Sequence, residues 1–183
     1  MEVIEIKVEA IYWSLTGNTE KVAFAIKEAL EYSGLDYIFK RIEEAEDLDF
    51  FEYDLLCISF PVMYRWLPAK PMDKYLQAKY KAYYSQGLVK TGSPKLPGKN
   101  VLIVCTFSGP HTGVNEAIPS CKWVGQLFEH LGFTVVDEWY IVGEFHGNEE
   151  WSTKGKMGDI RGRPNDEDLR KVKQDMIDLL KGI

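Results

Sequence analysis

Apolar positions follow two alternating rhythms along this chain, short β-branched or aromatic runs and longer stretches with a helical period. Ile6 to Trp13 is a run of the first kind and predicts a strand. Gly17 to Ser33 is of the second, with Val22, Ile26 and Leu30 spaced by four, Ala23, Ala25 and Ala29 beside them, and a glycine stop at Gly34. Leu35 to Ile42 and Tyr53 to Phe60 predict two more strands. Pro68 to Tyr84 predicts a Lys- and Tyr-rich helix with Pro71 either in its first turn or bending it. Gly87 to Gly98 is a loop.

The second half repeats the pattern. Val101 to Cys105 is continuously apolar, as a strand covered on both faces must be. Glu116 to Leu131 predicts a helix with Ile118, Cys121, Val124, Leu127, Phe128 and Leu131 on one side and Gly132 after it. A fifth strand is expected within Phe133 to Val142. A last helix starts near Asn165, with Asp166, Glu167 and Asp168 opposing its dipole favourably, and buries Leu169, Val172, Met176 and Leu179. Strands alternating with helices imply parallel pairing through right-handed crossovers, hence a five-stranded, doubly wound α/β fold. No repeat, low-complexity tract or long polar linker divides it, so one domain over 1–183 is expected, with a Gly-rich insert at about 143–165.

Composition narrows the partners. The net charge of −6 disfavours nucleic acid and anionic membrane surfaces. No apolar run approaches the roughly 20 residues that span a bilayer. Met1 to Glu5 places acids where a secretory signal starts basic, so a cytoplasmic protein is expected. Three cysteines, Cys57, Cys105 and Cys121, are odd in number and widely spaced, which suits neither a disulfide framework nor a metal or cluster ligand set.

In a doubly wound sheet, ligands bind beyond the carboxyl ends of the strands, so the loops after the first, third and fourth strands carry the search. Ser14-Leu15-Thr16-Gly17-Asn18-Thr19-Glu20 follows the first. Its hydroxyls, its glycine and the unpaired N–H groups of a starting helix make a cradle for a phosphate, where a plain N-cap needs only one such side chain. Neither G-x-x-x-x-G-K-[ST] nor G-x-G-x-x-G occurs. After the third strand, Pro61-Val62-Met63-Tyr64-Arg65-Trp66-Leu67-Pro68 offers large rings and one cation. After the fourth, Thr106-Phe107-Ser108-Gly109-Pro110-His111-Thr112-Gly113 is a shaped loop with two glycines.

Ser14 to Thr19 matches the pattern [ST]-x-[ST]-G-x-T, and with this element order the chain resembles the flavodoxin-like family of FMN proteins. The resemblance implies strand order 2-1-3-4-5 and non-covalently bound FMN. It implies a phosphate site at Ser14, Leu15, Thr16, Gly17, Asn18 and Thr19. One flavin wall would be Pro61, Val62, Met63, Tyr64 and Trp66, the other Thr106, Phe107, Ser108, Gly109, His111 and Gly113. The activity implied is electron transfer with a redox partner protein or small acceptor, or NAD(P)H-dependent reduction of a flavin or quinone. A homodimer is compatible with the aromatic content.

Three features depart from a small electron carrier. No glycine occurs from Phe51 through Gln86, so a left-handed turn at Val62, Met63 or Tyr64 costs strain. Arg65 either turns toward the flavin or faces solvent. Glu43 to Asp54 contains seven acids and no base, a solvated face or a guide for a basic partner. The 143–165 insert, with His146, Trp151 and Arg161, is long for a connection and suits a lid, a partner or subunit contact, or plain surface decoration. A phosphoryl-transfer protein is disfavoured, since Tyr12-Trp13-Ser14 replaces a receiver's acid cluster and Met63 and His111 stand where C-x-x-x-x-x-R needs arginine. A cofactor-free interaction module of the same shape is the remaining alternative.

Overall fold

The computed structural model describes residues 6–183; the acidic start at 1–5 lies outside them. Five strands form one parallel sheet: β1 (Lys7–Tyr12), β2 (Asp36–Arg41), β3 (Leu55–Pro61), β4 (Asn100–Phe107) and β5 (Thr134–Val142), in the order β2-β1-β3-β4-β5. Period-two alternation divides the buried residues between two faces. Ile11, Leu56, Ile58, Ile103 and Cys105 meet α2 (Lys70–Ser85) and α3 (Ile118–His130) through Met72, Leu76, Val124 and Phe128. Val8, Ala10, Leu55, Cys57, Leu102 and Val104 meet α1 (Asn18–Ser33) and α5 (Asp166–Leu180) through Val22, Ile26, Leu30, Val172 and Met176. All three cysteines are buried in these layers, and burial pushes the Cys57 and Cys105 thiols up.

Local signals place the helices. Gly34 takes the left-handed conformation (φ 66°) and ends α1. Pro71 sits in the first turn of α2, where its missing N–H costs nothing. Asn165 caps α5 in a reciprocal box with Asp168. Leu169 and Leu179, expected to be buried, are only half-buried at the edges of that helix. The insert contains a short helix that its composition did not announce, α4 (Glu149–Thr153). Among the described residues no helix is long and apolar enough to cross a membrane.

Two acids of the acidic run, Asp49 and Asp54, hold the fold together. Asp49 caps the single turn Phe50–Glu52 and accepts the Tyr83 hydroxyl at 3.0 Å, while Asp54 pairs with Lys99 at 3.2 Å. Glu9 on β1 carries a carboxyl group into the interior: its side chain is fully buried and neither carboxyl oxygen has a hydrogen-bond partner. Removal from water pushes its pKa up to about 8, so it is mostly neutral at pH 7.

Candidate functional site

The carboxyl ends of β1, β3, β4 and β5 enclose one cavity of about 490 Å³, within the usual range for a small-molecule site. Its first wall is the turn between β1 and α1. Gly17 there has φ 96°, a conformation that L side chains resist, and it leaves the start of α1 with no side-chain cap. The first-turn N–H groups of α1 therefore lack the usual internal acceptor and present a partial positive charge beside the cavity. Ser14 Oγ accepts the Gly17 N–H at 3.2 Å, and Ser14, Leu15 and Thr16 line the cavity.

A charged network supports this turn from below. The Arg41 guanidinium donates to the Ser14 carbonyl at 3.3 Å and to Glu20 at 3.2 Å, and Glu20 also accepts the Tyr12 hydroxyl at 3.1 Å. Two polar side chains expected at a phosphate are engaged within the chain. Thr19 Oγ1 lies 2.7 Å from Thr106 Oγ1, and Asn18 Nδ2 donates to the Glu144 carbonyl at 2.8 Å. Ser14, Thr16 and backbone donors remain for a ligand.

Pro61, Val62 and Met63 supply the second wall. The Val62 N–H donates to the Thr106 carbonyl at 2.8 Å and the Met63 N–H to the Leu67 carbonyl at 2.9 Å, which closes the loop into a tight hairpin. The left-handed residues it requires are Arg65 and Trp66, each at φ 60°. Two adjacent non-glycine residues in that region store roughly 1–2 kcal/mol apiece. Tyr64 and Trp66 do not line the cavity: they are 77% and 54% exposed, and Arg65 lies over the Tyr64 ring at 5.0 Å.

Thr106, Phe107 and Ser108 form the third wall. Gly109 and Gly113 shape the loop rather than lining the cavity; a Cβ on Gly109 would lie 2.6 Å from the Gly113 carbonyl oxygen. His111 is likewise outside, edge-on to Trp151 with ring centroids 5.3 Å apart.

A fourth wall lies outside the three loops expected from the sequence. Gly143, Glu144, Phe145, His146 and Gly147 follow β5 directly and line the cavity. The strand-end rule that picked the other three loops applies equally to β5. Glu144 Oε1 and His146 Nδ1 approach to 3.8 Å on the wall. Phe145 stacks on Trp151 with centroids 5.1 Å apart.

The sheet order, the layers and the cavity at the strand ends together define a flavodoxin-like α/β fold. No protein-family model and no curated protein matches the chain. Solved structures do match in shape. Flavodoxin 2 from Bacillus cereus is 15% identical with a TM-score of 0.67, over 97% of this chain and 99% of that one. A flavodoxin from Streptococcus pneumonia TIGR4 is 18% identical with a TM-score of 0.63, over 97% and 99%. A flavone reductase is 11% identical with a TM-score of 0.64, over 97% of this chain and 62% of that chain.

Proposed function

We propose that this protein is an FMN-binding redox protein. The observation that carries the reading is the uncapped start of α1, turned by a left-handed Gly17, opening on the cavity. An N-terminus without an internal acceptor suits a phosphate dianion, and Ser14 and Thr16 place hydroxyls on the same wall. Pro61 to Met63 and Thr106 to Phe107 give the remaining space a largely apolar lining, which suits a flat ring system with a polar rim. The flavodoxins of matching shape support the choice of flavin.

When bound, FMN supplies one- or two-electron transfer. The chain's own part is to hold the phosphate by first-turn N–H groups, flank the ring, and limit water at the four walls. The His146–Glu144 pair places an imidazole and a carboxylate side by side at the cavity wall. Electrons would come from NAD(P)H or a redox partner and pass to a protein or a small acceptor such as a quinone.

The test is titration of the purified protein with FMN and separately with riboflavin, followed by anaerobic reduction with dithionite, NADPH and NADH. Retention of FMN through desalting, with tighter binding than riboflavin, is the expected result. Reduction by NAD(P)H at a catalytic rate identifies a reductase; reduction by dithionite alone, in two spectroscopically separate stages, identifies a one-electron carrier. FMN lost on desalting with an unperturbed spectrum overturns the flavin reading in favour of an interaction module.

A further inference from the structure

Asn18, the first residue of α1, and Glu144, just after β5, are 126 positions apart in the chain and joined by one hydrogen bond of 2.8 Å. The approach depends on Gly143, because a Cβ there would lie 2.8 Å from Asn18 Nδ2. From Glu144 the connections continue outward. Its N–H donates to the Arg163 carbonyl at 2.8 Å, and its carboxylate accepts the Gly162 N–H at 2.8 Å. Next to it, the Phe145 N–H donates to Ser152 Oγ at 2.9 Å, and the Ser152 hydroxyl donates to the Phe145 carbonyl at 3.0 Å. The Phe145 ring stacks on Trp151, and Trp151 meets His111 on the loop after β4. Trp151 itself does not line the cavity.

We propose that Asn18 is a positioning residue, whose amide ties the turn at the start of α1 to the Gly143–Gly147 wall and so couples occupancy of the cavity to the Phe145–Trp151–His111 stack. The physical basis is a difference in contacts. A ligand held at the start of α1 touches Phe145 and His146 only while the wall is drawn in, so binding and the Asn18 bond favour the same arrangement. The other bonds of Glu144 and Phe145 run within the 143–163 segment, so losing the one that reaches α1 loosens the wall from the helix without disturbing the sheet. The use of FMN as the probe rests on the flavin reading; the bond between wall and helix does not.

The test compares wild type, Asn18→Ala and Gly143→Ala, with and without FMN. The two substitutions break one bond from its two sides: the first removes the Asn18 amide, and the second removes no group from the start of α1 but displaces that amide with a Cβ. Amide hydrogen exchange over 144–153 is expected to speed up about tenfold in both variants before any ligand is added, with β4 and α3 unchanged. With fluorotryptophan incorporated and residue 151 assigned by its loss in Trp151→Phe, the resonance is expected to shift on FMN addition in wild type and to stay fixed in both variants at saturating FMN. Unchanged exchange in the variants, or the same Trp151 shift in them as in wild type, overturns the proposal. If wild type fails to bind FMN while the variants still exchange faster over 144–153, the flavin reading falls and the coupling of helix to wall stands.

Discussion

Thr19 and Thr106 meet hydroxyl to hydroxyl at 2.7 Å, both buried, and join the first turn of α1 to the carboxyl end of β4. The contact fixes the spacing between two walls of the cavity. It also explains why a threonine at this place need not be spent on a ligand.

Thr106→Val leaves the Thr19 hydroxyl buried without its partner and should lower stability by about 1–3 kcal/mol. The double variant Thr19→Val/Thr106→Val removes donor and acceptor together at nearly constant shape, and should return to within about 1 kcal/mol of wild type. Urea unfolding of wild type, Thr19→Val, Thr106→Val and the double variant measures the coupling. Additive losses would show that the two hydroxyls act independently.

Glu9 predicts a slope of stability with pH. Its folded pKa, about 8, stands above the ordinary 4.5, so between those values the folded state holds a proton that the unfolded state has released. Stability from this group is greatest at and below pH 4.5, falls as pH rises toward 8, and levels off above. The slope approaches 1.4 kcal/mol per pH unit at most. The charged groups acting on Glu9 are Lys79 of α2, Lys40 of β2, and Asp49 and Glu52 before β3. Lys79 is held by the Glu46 carbonyl at 2.6 Å and by the Leu48 carbonyl. Glu9→Gln should flatten the urea midpoint between pH 5 and 8 and exceed wild type in stability at pH 8. A wild-type midpoint that rises through this window would contradict the assignment.

Ser14 tests the proposed phosphate cradle. Its hydroxyl oxygen accepts the Gly17 N–H, and the residue is nearly buried at the cavity wall. A hydrogen bond to a charged group contributes about 1.5–3 kcal/mol, so Ser14→Ala should weaken FMN binding at least tenfold. Riboflavin, which lacks the phosphate, should lose little. Equal losses for both in a fluorescence titration would assign the hydroxyl to the fold.

Asn165 tests the cap of α5. Its side chain accepts from the N–H groups of Glu167 at 3.0 Å and Asp168 at 3.1 Å, while Asp168 accepts the Asn165 N–H at 2.9 Å. Asn165→Ala should cost about 1 kcal/mol. The Arg163 guanidinium beside Asp168 holds its carboxyl below the usual range, so this end of α5 keeps its stability above that range and loses it as pH falls through the lowered value. Thermal unfolding of Asn165→Ala that matches wild type would remove the cap from the account.

Element order, the parallel sheet and the turn that forms the first wall were readable because each depends on neighbours in the chain. Strand and helix periods are local, Gly34 and Asn165 carry their own cap chemistry, and Gly17 marks the turn it makes. The rings of Tyr64 and Trp66 were not placed this way. Residue type calls for burial, but the hairpin from Val62 to Pro68, closed onto Thr106 and Leu67, turns both rings outward. Glu9 shows the same limit in reverse, a carboxyl whose strand position between β2 and β3 buries it whatever its polarity.

The amino-acid sequence by itself determined the doubly wound class, the position of the cavity at the strand ends and the chemistry of its first wall, since these rest on periodicity, handed crossovers and a turn a few residues long. Only the tertiary structure decided that the segment after β5 completes the cavity and that Asn18 and Thr19 hold walls together. Those contacts join residues 126 and 87 positions apart. Their partners are chosen by how the layers pack, and no local pattern encodes that choice.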